Sequence, residues 1–155
     1  MKKKTFSFLV INFPKKGFVV ILFLLATAGL GDLVSSHGIK KTVKRERPCN
    51  DIRLKGQVRT LNKCGGGYSF TSSHATNHTA IAAFLIFTIG ILFKWIKAPL
   101  LLWAISVGYG QIYIGVHYPL DVLCGTLVGF LIGLFGASVC RLVLNRFFGG
   151  DLSHF

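Results

Sequence analysis

The feature that most constrains this chain is a set of four apolar stretches, residues 17–31, 75–93, 99–116 and about 119–143, parted by polar connections. A helix needs about 20 mostly apolar residues to cross the hydrocarbon core of a bilayer, so each stretch reads as a candidate span. The first is expected to continue as helix past Leu33, and the second is polar at its start and strongly apolar from Ala80. Of 155 residues, 52% are hydrophobic, 14 are Phe and only 15% are charged. A soluble domain of this length could not hide so much apolar surface, so lipid is expected to cover it. The expected fold class is an all-α integral membrane bundle of about four transmembrane helices, one domain over residues 1–155, with its helical core at 17–143.

The connections set the topology. Lys94-Trp95-Ile96-Lys97 reads as a short turn with an interfacial tryptophan, making the second and third stretches a hairpin. The third and fourth meet almost directly at His117-Tyr118-Pro119, and proline suits a first helical turn because its missing N–H costs nothing there. One polar connection is long, residues 32–71, and contains Gly65-Gly66-Gly67. With four spans it shares a side with the His117 corner, while both termini lie opposite. The chain carries 18 Lys and Arg against 5 Asp and Glu, a net charge of +13. These cations divide evenly between the two sides, Lys40, Lys41, Lys44, Arg45, Arg47, Arg53, Lys55, Arg59 and Lys63 falling in the long loop. The short flanking loops are better topology markers than cations needed for a substrate, and they put the termini inside and the loop outside.

The basic surplus suits anionic headgroups or phosphate-bearing substrates. Because the cations sit between apolar runs rather than on one soluble face, nucleic acid is not an expected partner. Residues 1–16 form a short segment whose Lys2-Lys3-Lys4 is like a signal-peptide n-region. Its apolar run, 5–13, is short and no small-residue cleavage pattern follows, so no removable signal is read. That run looks like the tail of a preceding helix, which leaves open whether the chain begins further upstream. Residues 144–155 are expected to form a basic tail. Cys124 and Cys140 lie in an apolar run and read as small buried hydrophobes. Cys49 and Cys64 both lie in the loop expected outside, where they are expected to pair.

Three polar clusters gather at one membrane edge. Lys40 and Arg47 share a face if the first helix reaches Lys44, and Pro48 turns Arg47 out of the helix and back toward Lys40. A point charge beside a planar fork is an anion receptor; a solvated basic collar is the plainer alternative. Thr71-Ser72-Ser73-His74 precedes an apolar helix, where Ser and Thr cap and the free first-turn N–H groups can cradle a phosphate. Here the plainer alternative is a cap with a surface histidine. His78, one turn after His74, raises metal binding by its spacing, but no Glu or nearby Cys accompanies the pair. His117 and Asp121, four apart across a helix start, can pair. The carboxylate then fixes the imidazole tautomer and leaves the other nitrogen free to attack or accept a proton. Asp121 also heads an apolar segment, where ionisable groups are functional by default. An interfacial pair holding a helix corner is the alternative.

In order and placement the three clusters resemble the signature of the type-2 phosphatidic acid phosphatase superfamily, which includes bacterial lipid phosphatases and the vanadium haloperoxidases. Lys40 through Arg47-Pro48 is similar to that family's Lys-x6-Arg-Pro. Thr71-Ser72-Ser73-His74 resembles its Pro-Ser-Gly-His. Gly110-Gln111 with His117 and Asp121 aligns with its Ser-Arg-x5-His-x3-Asp. The resemblance covers residues 17–135. It implies a metal-independent phosphatase without cofactor, in which His117 attacks phosphorus, Asp121 orients it, and His74 protonates the leaving oxygen. Lys40, Arg47, Ser72, the N–H groups near Ser73, and Gln111 would hold the phosphate oxygens. It further implies a multi-pass protein of the bacterial inner membrane with its site on the periplasmic or outer face. The substrate would be a lipid phosphate such as phosphatidic acid, phosphatidylglycerophosphate, undecaprenyl diphosphate or a lipid A phosphate. Thr71 for Pro and Ser73 for Gly are mild departures. Gln111 for Arg exchanges a charged, two-pronged donor for a neutral amide, which Lys44 or Arg45 would have to offset. Two other readings stand beside this one: a weak or inactive relative that binds lipid headgroups, and a membrane metalloenzyme ligated by His74, His78 and His117.

Overall fold

The computed structural model describes residues 14–58, 60–61 and 63–148; the apolar stretch 5–13, Arg59 and residues 149–155 of the basic tail lie outside them. Among the described residues the secondary structure is entirely helical. The first helix, α1 (Pro14–Asp32), does not stop where polar residues begin. It runs through a wider π-helical segment, Leu33–Ile39, into α2 (Lys40–Val43). The opening part of the polar 32–71 connection is therefore helix, in line with the expected continuation past Leu33, and the loop proper begins only after Val43. The polar side chains of that opening part bond within the helix instead of breaking it. Ser36 Oγ donates to Asp32 Oδ1 at 2.9 Å and Thr42 Oγ1 donates to the Gly38 carbonyl at 2.8 Å. The helix ends at Val43, one residue short of the expected Lys44. Lys44 enters the left-handed region at φ 53° and donates its N–H to the Lys40 carbonyl at 3.1 Å, a single-bond C-cap.

The loop that follows is closed by a Cys49–Cys64 disulfide, with Cα atoms 5.8 Å apart, and carries one 3₁₀ turn at Ile52–Leu54. Helix α3 (Ser73–Phe87) is 15 residues long. It stops where Thr88 turns to φ −111°, its hydroxyl and N–H both bonded to the Phe84 carbonyl, at 2.6 and 3.0 Å. The rest of the expected 75–93 span is two 3₁₀ turns, Ile89–Ile91 and Lys94–Ile96. Helix α4 (Lys97–Tyr113) has 17 residues and α5 (Pro119–Phe148) has 30. Among the described residues two helical stretches are long and apolar enough to cross a membrane, Lys15–Val43 and α5. At 1.5 Å per residue, α3 and α4 extend only about 22 and 26 Å, short of a hydrocarbon core of roughly 30 Å.

Helix α3 is the centre of the bundle, packed on α1, α4 and α5. Glycines of α5 let backbones meet: Gly125 lies on Ser72 and Thr76, Gly129 on Thr76, Gly133 on Ala80, and Gly136 on Thr27 of α1. Ala75, Ala80 and Ala83 keep the facing side small. Large apolar side chains point outward, among them Phe18, Leu25, Leu102, Ile105, Leu123 and Phe135. Small residues inside and large ones outside is the pattern of helices packed in lipid. An apolar cluster of Phe84 from α3 with Ala137, Cys140 and Leu144 from α5 packs against Val20 and Phe23 of α1, away from the Ser72 end of α3.

Candidate active site

The site grows from the turn between α4 and α5. The sequence reading ran the third apolar stretch to Val116; the structure ends its helix earlier. Helix α4 ends at Tyr113 because Gly115 takes φ 76°, which a residue with a Cβ rarely adopts. Val116 N–H donates to the Gln111 carbonyl (3.3 Å) and Gly115 N–H to the Ile112 carbonyl (2.9 Å), the paired bonds of a Schellman cap. The His117 N–H then joins the same Gln111 carbonyl at 3.2 Å. Gln111 thus holds the His117 turn by its main chain, and its residue is half-buried.

His117 and Asp121 are both buried, 3% and 0% exposed. The imidazole Nδ1 stands 3.5 Å from Asp121 Oδ2, an ion-pair distance slightly long for a good hydrogen bond. The carboxylate is otherwise fully engaged: Oδ2 accepts the Tyr118 N–H and Oδ1 accepts Arg45 Nη1, each at 2.9 Å. With Nδ1 turned to the carboxylate, Nε2 is the ring nitrogen left for chemistry.

Across from this pair is the start of α3. Ser72 is the N-cap, fully buried, its Oγ accepting the Ala75 N–H at 3.4 Å. The Ser73 and His74 N–H groups fall in the first turn, which has no intrahelical acceptors for them. Ser73 Oγ faces the π-helical segment, 3.0 Å from Ser36 Oγ. His74 is exposed and lies within electrostatic range of His117, Lys40 and Arg47. Lys40 is in turn within range of Arg47, Asp32 and Asp121. Arg47 ties two loops together, Nε to the Gly67 carbonyl and Nη1 to the Val116 carbonyl, both at 3.4 Å. Burial lowers its pKa below the ordinary arginine value, with Asp121 opposing; an arginine stays cationic all the same. Lys40, Arg47, Ser72, Ser73, His74, His117 and Asp121 are therefore brought to one edge of the bundle.

His78 faces elsewhere: its Nδ1 lies 2.8 Å from the His74 carbonyl, and its ring packs 4.8 Å from that of Trp103. Among the described residues no three His, Cys, Asp or Glu side chains converge as a ligand set. A cavity of about 350 Å³ opens within the loop, lined by residues including Pro48, Asn50, Asp51 and Lys55.

Sequence reasoning missed Asp51, and it missed the roles of Arg45, offered only as a stand-in for the motif's arginine, and of Tyr118. Arg45 pairs with Asp121 and lies over the Tyr118 ring, 3.8 Å from its centroid. Tyr118 donates its hydroxyl to Asp51 Oδ2 at 3.0 Å, and its pKa is raised by burial and by that bond. Asp51 also accepts from the Arg53 guanidinium at 2.8 and 3.0 Å, which holds its carboxyl well below the usual range. Nothing in a run of charges marks which member will turn inward.

Comparison with known proteins agrees with the family resemblance read from the sequence. The model of the PAP2 superfamily matches residues 17–144. The chain is 31% identical to a lipid A 4'-phosphatase of Porphyromonas gingivalis over 154 residues, 94% of this chain and 63% of that protein. It is 32% identical to a lipid A 4'-phosphatase of Bacteroides thetaiotaomicron over 113 residues, 70% of this chain and 48% of that one. An undecaprenyl-diphosphatase of Bacillus subtilis is 34% identical over 105 residues, 68% of this chain and 50% of the relative. The chain thus spans about half to just under two thirds of the length of these relatives. No solved structure matches it significantly.

Proposed function

The chain belongs to the PAP2 superfamily, and on that premise we propose that it is a metal-independent lipid phosphate phosphatase acting through a phosphohistidine on His117. The observation that carries this reading is the buried His117–Asp121 pair, 3.5 Å apart, facing the cap of α3. In the first step Nε2 of His117 attacks phosphorus as the bond to the leaving oxygen breaks, and His74 gives that oxygen its proton. Asp121 offsets the positive charge that gathers on the imidazole. In the second step His74 takes a proton from water, the water oxygen bonds to phosphorus, and the N–P bond breaks to release inorganic phosphate and free His117. Lys40, Arg47, Ser72 and the first N–H groups of α3 steady the phosphoryl oxygens, whose charge peaks between the two states. Gln111 adds a neutral contact where the motif has an arginine.

The substrate is a lipid monophosphate or diphosphate whose tail stays in the bilayer while its phosphate reaches the edge of the bundle. Lipid A and undecaprenyl diphosphate are the first substrates to try, given the relatives' activities. A disulfide in the loop supports a bacterial cytoplasmic-membrane protein with its site on the oxidising, periplasmic side. The test is phosphate release from a panel of lipid A, undecaprenyl diphosphate, phosphatidic acid and phosphatidylglycerophosphate in detergent, with acid-quench trapping of a ³²P-labelled enzyme. Release that disappears, with the label, in His117→Ala supports the reading. Lipid phosphate bound but never released would make the chain a headgroup binder instead.

A further inference from the structure

We propose that Arg45, braced on the Tyr118 ring, is a positioning residue that fixes the Asp121 carboxylate and so tunes the protonation of His117. This inference rests on the phosphatase reading. Arg45 occupies no place in the three sequence clusters, yet it makes the short ion pair to Asp121 at 2.9 Å. A carboxylate with no exposed surface needs its charge answered, or it would cost several kcal/mol to bury. Arg45 answers it from Oδ1, on the carboxylate oxygen that does not face His117.

The guanidinium is held from two sides, by Asp121 and by the Tyr118 ring, whose centroid lies 3.8 Å from Cζ, while the main chain of Arg45 is anchored where its carbonyl accepts the Ser69 N–H at 2.8 Å. Tyr118 is itself fixed at both ends, by its N–H on Asp121 and its hydroxyl on Asp51. The Lys44 turn contributes, since its left-handed backbone reverses the chain immediately before Arg45. A planar fork can stack and pair at once, which a lysine ammonium cannot do. Because Arg45 is spent on Asp121, its influence on the reaction passes through that carboxylate and not through a phosphate oxygen.

The consequence is a charge balance at His117. Asp121 from α5 pairs with it, His74 from α3 lies within electrostatic range, and Arg47 bonds to the adjacent Val116 carbonyl, while Lys40 from α2 lies within range of His74, Arg47 and Asp121. With Arg45 present, part of the Asp121 charge is compensated and less of it falls on the imidazole. Without it, Asp121 acts wholly on His117, the imidazolium is favoured, and the attacking form appears only at higher pH.

Arg45→Gln keeps a donor for Asp121 and removes the charge, Arg45→Lys keeps the charge and removes the stacked fork, and Arg45→Ala removes both. The expected result is a fall in kcat of about 10- to 100-fold for Arg45→Ala with KM little changed. Arg45→Gln should move the acid limb of the pH–kcat profile up by about one unit, with Arg45→Lys restoring it. Titration of His117 by ¹⁵N-histidine NMR in detergent reads the same shift without turnover. It therefore stands even if Arg45→Ala fails to fold or the wild type releases no phosphate. A folded Arg45→Gln protein whose His117 titrates as in wild type would overturn the inference, and so would a loss confined to KM. Wild-type protein inactive on every lipid phosphate, with the NMR shift present, would sink the phosphatase reading alone.

Discussion

Ser72 donates its backbone N–H to the main-chain carbonyl of Asp121 at 3.0 Å. The cap of α3 and the first turn of α5 are thus joined by main chain, so the distance between the phosphate cradle and the His117–Asp121 pair is set by helix packing. That packing depends on Gly125, where an added Cβ would meet the Ser72 carbonyl at 2.7 Å and Thr76 Oγ1 at 3.1 Å.

Gly125→Ala should therefore force the two helix starts apart. The expected cost is about 1–3 kcal/mol of stability, as for other overpacked interiors, together with a loss of phosphate release. Gly29→Ala, with nothing within 4 Å of its added Cβ, should change neither. Thermal unfolding in detergent and a release assay on both variants check this; equal behaviour of the two would mean that the α3–α5 contact does not set the site.

Asp121→Asn should lower phosphate release at least about 100-fold, close to the effect of His117→Ala, because shape survives and the orienting charge does not. It should also destabilise the fold by about 1–3 kcal/mol, since Arg45 loses its partner; Arg45 keeps 35% of its side chain exposed, which softens the loss. Wild-type turnover in a folded His117→Ala protein would remove the nucleophile from the mechanism.

The Cys49–Cys64 bond closes a 15-residue separation, worth about 3 kcal/mol on the chain-entropy model. Reduction, or Cys49→Ser with Cys64→Ser, should lower the unfolding temperature accordingly, and mass spectrometry of protein purified without reductant should find no free thiol at either position. Two free thiols there would count against both the bond and an outward-facing loop.

The three clusters were legible because each is a short pattern of unlike residues beside an apolar run. The continuation of the first helix past Leu33 was legible, but its widening into a π-helical segment over Leu33–Ile39 was not, since hydropathy does not report which backbone bonds form, and Ser35 and Ser36 bond back to Asp32 there. Nor can apolar content tell α-helix from the 3₁₀ turns after Thr88, so the second stretch read longer than it is. Gly115 was visible as a helix stop inside the third stretch, yet its neighbours are apolar and masked it. Arg45 was one cation among many, and its choice of Asp121 is decided by the Lys44 turn and Tyr118, which no spacing rule encodes.

Activity should withstand EDTA and be blocked by vanadate, which can take a five-coordinate form on the His117 nitrogen where phosphorus would sit. The motivating geometry is His78, whose Nδ1 faces the His74 carbonyl instead of joining His74 and His117 around a common point. Loss of release on chelation with recovery on added zinc would hand the site to a metal-dependent mechanism.

The last expectation concerns Gln111. Its carbonyl anchors Val116 and His117, so substitution of the side chain should leave the turn standing. Of the two cations that could have filled the place of the motif's arginine, Arg45 is committed to Asp121 and Lys44 is exposed at the cap of α2. An arginine at 111 would add a charge-assisted contact that strengthens as charge builds on the phosphoryl oxygens, against the single weaker contact of an amide. Gln111→Arg should therefore raise kcat/KM by about tenfold, near the low end of a 1–3 kcal/mol gain. Gln111→Ala should lower it a few-fold while the unfolding temperature stays put. Kinetics on these two variants decide the matter: if both match wild type, the Gln111 side chain does not face the phosphate, and the residue serves the site only through the carbonyl that holds His117.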